Sequence, residues 1–257
     1  MLWMQMMCRF LPRLCLLCET PCADAALCTP CREFLPGSSR RRCRTCARPW
    51  QVSMQCASCR ASPPAYEASL AAADYCAPLD RVVTALKFSG QIGLATGLGA
   101  LLAQAWVSAV TPLLRTGGDG GEEHVVEGED SVPAPGRLDC IVPIPLAPAR
   151  LAERGFNQAH LIAGSMVKRL RGVSAAPALR PSRLVRQRNT QAQSLLQWDA
   201  RQANLDHGFV AVGRLDGLHV GVVDDVMTTG ATLQAAALAL KAAGAAKVVN
   251  LVVARTA

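Results

Sequence analysis

Four CxxC pairs near the start of the chain leave that region little freedom in what it can become. They are Cys15 with Cys18, Cys28 with Cys31, Cys43 with Cys46, and Cys56 with Cys59, and each member of the first two pairs has a counterpart 28 positions later. An internal repeat of this kind marks two copies of one small unit. A CxxC turn presents two thiolates on one knuckle, and two knuckles complete a tetrahedral tetrathiolate site, the arrangement zinc favours. The repeat therefore predicts two structural zinc sites, one held by Cys15, Cys18, Cys28 and Cys31 and the other by Cys43, Cys46, Cys56 and Cys59. A cross-brace mixing the halves is the lesser alternative for the pairing, and an iron–sulfur centre for the occupant. Cys22 falls opposite Trp50 in the repeat and stands outside the ligand set, while Cys8, Cys76 and Cys140 read as packing cysteines.

Paired cysteines in a secreted protein would suggest disulfides, but the apolar run before Arg9 and Arg13 is short and no cleavage site follows it. The expected compartment is the reducing cytoplasm, where such pairs are metal ligands. The stretch between Lys87 and Arg115 has no charge and is long enough to cross a bilayer. Its glycines and polar residues, with Leu94, Leu98, Leu101, Leu102 and Ala105 at helical spacing, instead predict a core-facing helix, so no membrane span is expected.

Pro63 and Pro64 end the cysteine-rich segment, which sets the expected boundary between a ribbon unit over 1–62 and a second domain over 63–257. Residues 115–137, rich in Gly, Pro and acidic side chains between Thr116 and Gly136, read as a mobile acidic insertion. Beyond it the pattern predicts strands at Leu138–Pro145, Leu218–Asp225 and Lys247–Ala254, with helices at Ala159–Leu170 and Thr232–Ala243, the last stopped by Gly244. Strand alternating with helix predicts an α/β fold whose parallel sheet has flanking helices.

The most specific segment is LHVGVVDDVMTTGAT, from Leu218 to Thr232. An apolar strand ends in Asp224 and Asp225, a hydroxyl-rich turn follows, and a helix begins. Amides at a helix start lie at the positive end of its dipole and attract phosphate. Thr228, Thr229 and Thr232 add hydroxyls, Gly230 and Ala231 admit close backbone approach, and the two carboxylates suit ribose hydroxyls. The segment resembles the phosphoribosyl pyrophosphate motif of type I phosphoribosyltransferases, two acidic residues followed by TTGxT. Ile141–Pro145 resembles the strand before the pyrophosphate loop of amidophosphoribosyltransferases, which would put that loop at Leu146–Arg150, and Arg186–Gln193, with Arg201 and Asn204 after it, resembles the flexible closing loop. Together with the tandem CxxC pairs, LKFSG at Leu86–Gly90 and RGFNQ at Arg154–Gln158, nearly the whole chain is similar to the ComF/GntX family, a double zinc ribbon followed by a type I phosphoribosyltransferase-like domain. The acidic insertion is its main departure from the compact pattern.

The resemblance implies phosphoribosyl pyrophosphate and magnesium as ligands and transfer of phosphoribose to an acceptor. Asp224, Asp225, Arg186 and Arg188 would then be the catalytic candidates, and Arg150, Arg154 and Lys87 would join the turn residues in binding. Arg150 to Arg201 holds ten basic residues against two acidic ones, as a pyrophosphate side requires. Lys87 reads equally as a surface lysine, and Asn157 and Gln158 read first as a helix cap. The resemblance equally implies a role in DNA uptake, with single-stranded DNA or competence-machinery proteins as partners. The formal charge of +8 agrees with a phosphate-bearing partner, and the run Arg40, Arg41, Arg42 and Arg44 reads equally as a nucleic-acid patch or a solvated face. Two tetrathiolate zinc sites, each about −2, would offset part of that charge, and with 4% aromatic residues few stacking platforms for single strands are available.

Overall fold

The computed structural model describes residues 13–22, 27–35, 41–114, 137–172, 176–186 and 208–257. The acidic insertion over 115–136, Arg188, Arg201 and Asn204 lie outside the described residues.

The first cysteine unit has strands β1 (Arg13–Leu14) and β2 (Pro21–Cys22), paired antiparallel, and a short helix α1 (Thr29–Glu33). The second repeats the plan with an antiparallel bridge between Arg42 and Pro49 and a helix α2 (Ala57–Ala61) that carries Cys59. The larger unit then runs β3 (Ala68–Asp74), α3 (Leu79–Phe88), α4 (Leu94–Leu114), β4 (Cys140–Pro143), α5 (Pro148–Arg154), α6 (Gln158–Arg169), β5 (Ala178–Leu179), β6 (Leu184–Arg186), β7 (Phe209–Ala211), β8 (His219–Met227), α7 (Ala231–Ala242) and β9 (Lys247–Arg255).

Five strands form one sheet in the order β3, β9, β8, β4, β5, and every neighbouring pair is parallel. Strands buried on both faces need apolar side chains on both, and β9 provides them: Val249, Leu251 and Val253 face one cluster, Val248 and Val252 the other. Helices α3, α4 and α6 cover the first face; α7 covers the second, with the antiparallel β6–β7 hairpin packed beyond it.

Helix α4 contains an apolar stretch, Leu94–Thr111, long enough to cross a membrane by length and composition. Here Leu98, Leu102 and Trp106 are at most 3% exposed, packed among α6 and the sheet. The approach of α4 to α6 is unusually close because position 99 has no side chain. A Cβ on Gly99 would sit 2.5 Å from Ser165 Cβ and 2.6 Å from the Ile162 carbonyl oxygen. One turn away the Ser165 hydroxyl donates to the Thr96 carbonyl at 2.9 Å, fixing the crossing.

The cysteine units do not stand apart from this framework. Cys15, Leu27 and Leu35 belong to the apolar cluster built by α3 and α4, whereas Cys43, Cys46, Ala47, Cys56 and Cys59 belong to the cluster under α7. Replacing Gly99 by Val would force α4 and α6 apart, and overpacking of this sort costs about 1–3 kcal/mol. Urea unfolding of Gly99→Val should show a lower midpoint, and an unchanged midpoint would contradict the close crossing.

Candidate ribose-phosphate site and cysteine centres

Strand β4 leads through α5 and α6 toward β5, whereas β8 leads through α7 toward β9 on the other side. The chain thus departs in opposite directions from two adjacent strands. Such a switch point opens a crevice beyond the carboxyl ends of the strands, the usual ligand position in open parallel sheets.

Asp224 and Asp225 lie at this end of β8, two positions farther inside the strand than its predicted end, since β8 continues to Met227. Asp225 is 3% exposed, and its Oδ1 pairs with Lys87 Nζ at 2.9 Å and accepts from the Val226 amide at 2.6 Å. Its Oδ2 is buried with no hydrogen-bond partner. Asp224 Oδ1 accepts from the Asp225 amide at 2.9 Å. Burial and then the neighbouring Asp225 charge raise the Asp224 carboxyl from 3.8 to about 7, with Lys87 opposing.

The turn after β8 ends at Gly230, which caps α7 in the left-handed region at φ 86°. A side chain there would be strained, and its Cβ would also fall 2.8 Å from Met227 Cε and 3.0 Å from the Tyr66 hydroxyl. Thr228, Thr229 and Ala231 are exposed and Thr232 is half-buried. Thr229 Oγ1 accepts from the Ala231 amide at 3.3 Å. The first amides of a helix have no partners within it, so the start of α7 opens toward whatever occupies the turn.

Across the switch point lies a cavity of about 530 Å³ lined by Lys87, Phe88, Gly90, Arg150, Glu153, Arg154 and Phe156. Arg154 stacks over Phe88 at 5.4 Å and donates to Gln158 Oε1 at 2.6 Å. Lys87 belongs to both places, lining the cavity while its ammonium meets Asp225.

The predicted loop over Leu146–Arg150 is shorter than expected. Pro148 opens α5, so Arg150 lies on a helix and only residues 144–147 remain irregular. Asn157 does cap α6, its Oδ1 accepting from the His160 amide at 3.2 Å, and its Nδ2 also donates to the Ile144 carbonyl at 2.9 Å. Gln158, 6% exposed, is the first residue of α6 rather than its cap. Arg186 sits on the β6–β7 hairpin with its guanidinium 5.5 Å from the Phe209 ring, and it does not line the cavity of Arg150 and Arg154. Sequence reasoning passed over Tyr66 and Arg255. The latter is 1% exposed, and its only signal was a charged residue closing an otherwise apolar strand.

The eight cysteines gather as the two sequential tetrads, Cys15, Cys18, Cys28, Cys31 and Cys43, Cys46, Cys56, Cys59, with the sulfurs of each within 4.8 Å of one another. Across the knuckles Cys18 Sγ lies 3.6 Å from Cys28 Sγ, and Cys46 Sγ 3.8 Å from Cys56 Sγ. A disulfide needs about 2.05 Å. A tetrahedron with Zn–S bonds of about 2.3 Å has edges of about 3.8 Å, so the donor set fits zinc. The first tetrad is the more open, with Cys18 exposed, and the second is buried throughout. In the second, the Cys56 amide donates to Cys43 Sγ at 3.3 Å, a contact that favours the thiolate a metal requires.

A parallel α/β sheet with an acidic strand end and an open helix start, joined to two cysteine tetrads, defines a double-ribbon protein of the phosphoribosyltransferase-like fold class. The chain matches no family model. It is 31% identical over 243 residues to the DNA utilization protein YhgH of Salmonella typhi, spanning 92% of this chain and 94% of that one. The DNA utilization protein YhgH of Escherichia coli K12 is 31% identical over 240 residues with the same coverage. Competence protein ComFC of Bacillus subtilis is 25% identical over 236 residues, 88% of this chain and 82% of the other. The chain belongs to the ComF family.

The raised Asp224 carboxyl has a measurable consequence. Between pH 4 and 7 the folded protein holds a proton that the unfolded chain has released, so this group's contribution to stability falls as pH rises through that window. Asp224→Asn removes the contribution, on the order of 1–2 kcal/mol with partial solvent access allowed for. Melting temperatures from pH 5 to 8 should slope less steeply in the variant; equal slopes would contradict the assignment.

Proposed function

We propose that this protein assists the uptake or utilization of DNA and that its crevice binds a 5-phosphoribosyl group, with magnesium phosphoribosyl pyrophosphate as the ligand. The first part follows its relatives, which are named for DNA utilization and competence. The observation that carries the second is the Asp224–Asp225 pair placed between an open helix start on one side and a basic cavity on the other.

In this reading the 5-phosphate lies against the amides and hydroxyls of Thr228–Thr232. The ribose hydroxyls donate to Asp224 and to Asp225, whose buried Oδ2 is otherwise unsatisfied. Lys87, Arg150 and Arg154 face the pyrophosphate. Magnesium supplies charge neutralisation for the pyrophosphate. Each cysteine tetrad holds one structural zinc with no position left for water, and thiolates of this kind belong in the reducing cytoplasm.

A second reading adds chemistry: transfer of the phosphoribosyl group to an acceptor. The cavity of about 530 Å³ favours it, because its three basic side chains provide a place for departing pyrophosphate.

Calorimetric titration of phosphoribosyl pyrophosphate with magnesium into the zinc-loaded protein should give saturable binding. Loss of both carboxyl groups in Asp224→Asn/Asp225→Asn should weaken it by more than about tenfold. Absence of binding to the intact protein would defeat the ligand assignment. A single-stranded oligonucleotide titrated at several salt concentrations tests direct DNA contact separately: a steep fall of affinity with salt supports it, and no binding at low salt places the protein's DNA role outside direct contact.

A further inference from the structure

The second cysteine centre and the turn after β8 share a single buried side chain. Arg255, the last residue of β9, donates from Nε to the Cys46 carbonyl at 2.8 Å and from Nη1 to the Met227 carbonyl at 3.1 Å. Nη1 also donates to the Thr256 carbonyl at 2.7 Å and to its hydroxyl at 3.0 Å. Cys46 is a knuckle ligand of the second tetrad, and Met227 is the residue from which the turn departs.

All of these acceptors are neutral, and among the described residues no carboxylate pairs with Arg255. A guanidinium at 1% exposure is strongly disfavoured without a counter-charge. Asp74, the register partner of Arg255 on β3, pairs with Arg42 at 2.7 Å, whereas the Cys46 carbonyl holds Arg255 against the tetrad, which as a tetrathiolate zinc centre would carry about −2. The thiolates therefore act as the missing counterion.

Other contacts tie the segment that leaves the second unit to the same turn. Tyr66, a few residues past α2, reaches Gly230 with its hydroxyl, and Gln234 of α7 accepts from the Ala65 amide at 2.7 Å. A recess of about 410 Å³ is lined jointly by Cys46, Cys56 and Cys59 and by Thr229, Gly230 and Ala231. Nothing comparable joins the first tetrad to the turn among the described residues, since its unit packs with α3 and α4.

We propose that Arg255 is a positioning residue that couples the second cysteine centre to the phosphate turn, so that metal in the second site, but not in the first, supports ligand binding. This rests on the ribose-phosphate reading of the turn. By thermodynamic reciprocity, ligand in the turn also tightens metal in the second site.

The test uses the full-length zinc-loaded protein with Arg255→Met, Arg255→Lys and Cys18→Ser variants. The first arm follows zinc release to a chromogenic chelator without any ligand, and Cys18→Ser identifies which phase belongs to the first site. Arg255→Met should speed release from the second site at least tenfold and leave the first site unchanged, with Arg255→Lys recovering most of the difference. The second arm measures binding of magnesium phosphoribosyl pyrophosphate to variants whose circular dichroism matches the parent. Arg255→Met should lose at least tenfold in affinity, Arg255→Lys should regain part of it, and Cys18→Ser should stay within twofold. Equal release rates in the first arm, or affinity within twofold for Arg255→Met in the second, would overturn the coupling. If the parent itself fails to bind, the ligand reading falls, and the first arm still decides whether Arg255 is tied to the metal centre.

Discussion

The guanidinium of Arg255 lies where three parts of the chain meet: the end of β9, the knuckle at Cys46, and the end of β8 at Met227. A charge buried that deeply is tolerated only when its donors are satisfied and an opposite charge is near. Carbonyl groups from both strand ends and the second knuckle meet the first requirement, and the thiolate cluster meets the second. The second unit is thus part of the floor under the crevice, while the first packs with α3 and α4 through Leu27 and Leu35.

Above that floor the crevice has two electrostatic halves. The acidic half is the end of β8, where burial keeps the Asp224 carboxyl well above its ordinary range and Asp225 is held by Lys87. The basic half is formed by α3 and α5, which bring Lys87, Arg150 and Arg154 around one cavity. The proposed ligand, with hydroxyls at its centre and phosphates at its ends, complements this layout. Lys87 joins the halves, so its alternative reading as a surface lysine does not describe its position.

The segments that the sequence made legible are those whose physics is local. The CxxC knuckles announce themselves by spacing, and sequential pairing follows from the repeat. Strand β8, the turn and α7 are adjacent in the chain, so apolar run, carboxylates, glycine and helix start could be read together. Asn157 was legible as a cap for the same reason. What escaped depends on contacts between distant segments. Arg255 looks like a charge leaving the sheet for solvent until the fold brings Cys46 and Met227 to it. Tyr66 has no neighbour in sequence that hints at Gly230. The shortened segment after β4 was missed because Pro148, read as part of a loop, is equally suited to begin a helix. Arg186, given by the resemblance to a flexible closing loop, belongs to a hairpin packed beyond α7, stacked on Phe209.

The proposed function stands on the turn from Thr228 to Thr232 receiving a sugar phosphate. The most direct measurement is a 1H–15N NMR titration of the zinc-loaded protein with ribose 5-phosphate, observing the backbone amides. The largest shifts should fall on Thr228, Thr229, Gly230, Ala231 and Thr232, saturating together. Shifts that leave these amides unmoved, or that center on another surface, would contradict it.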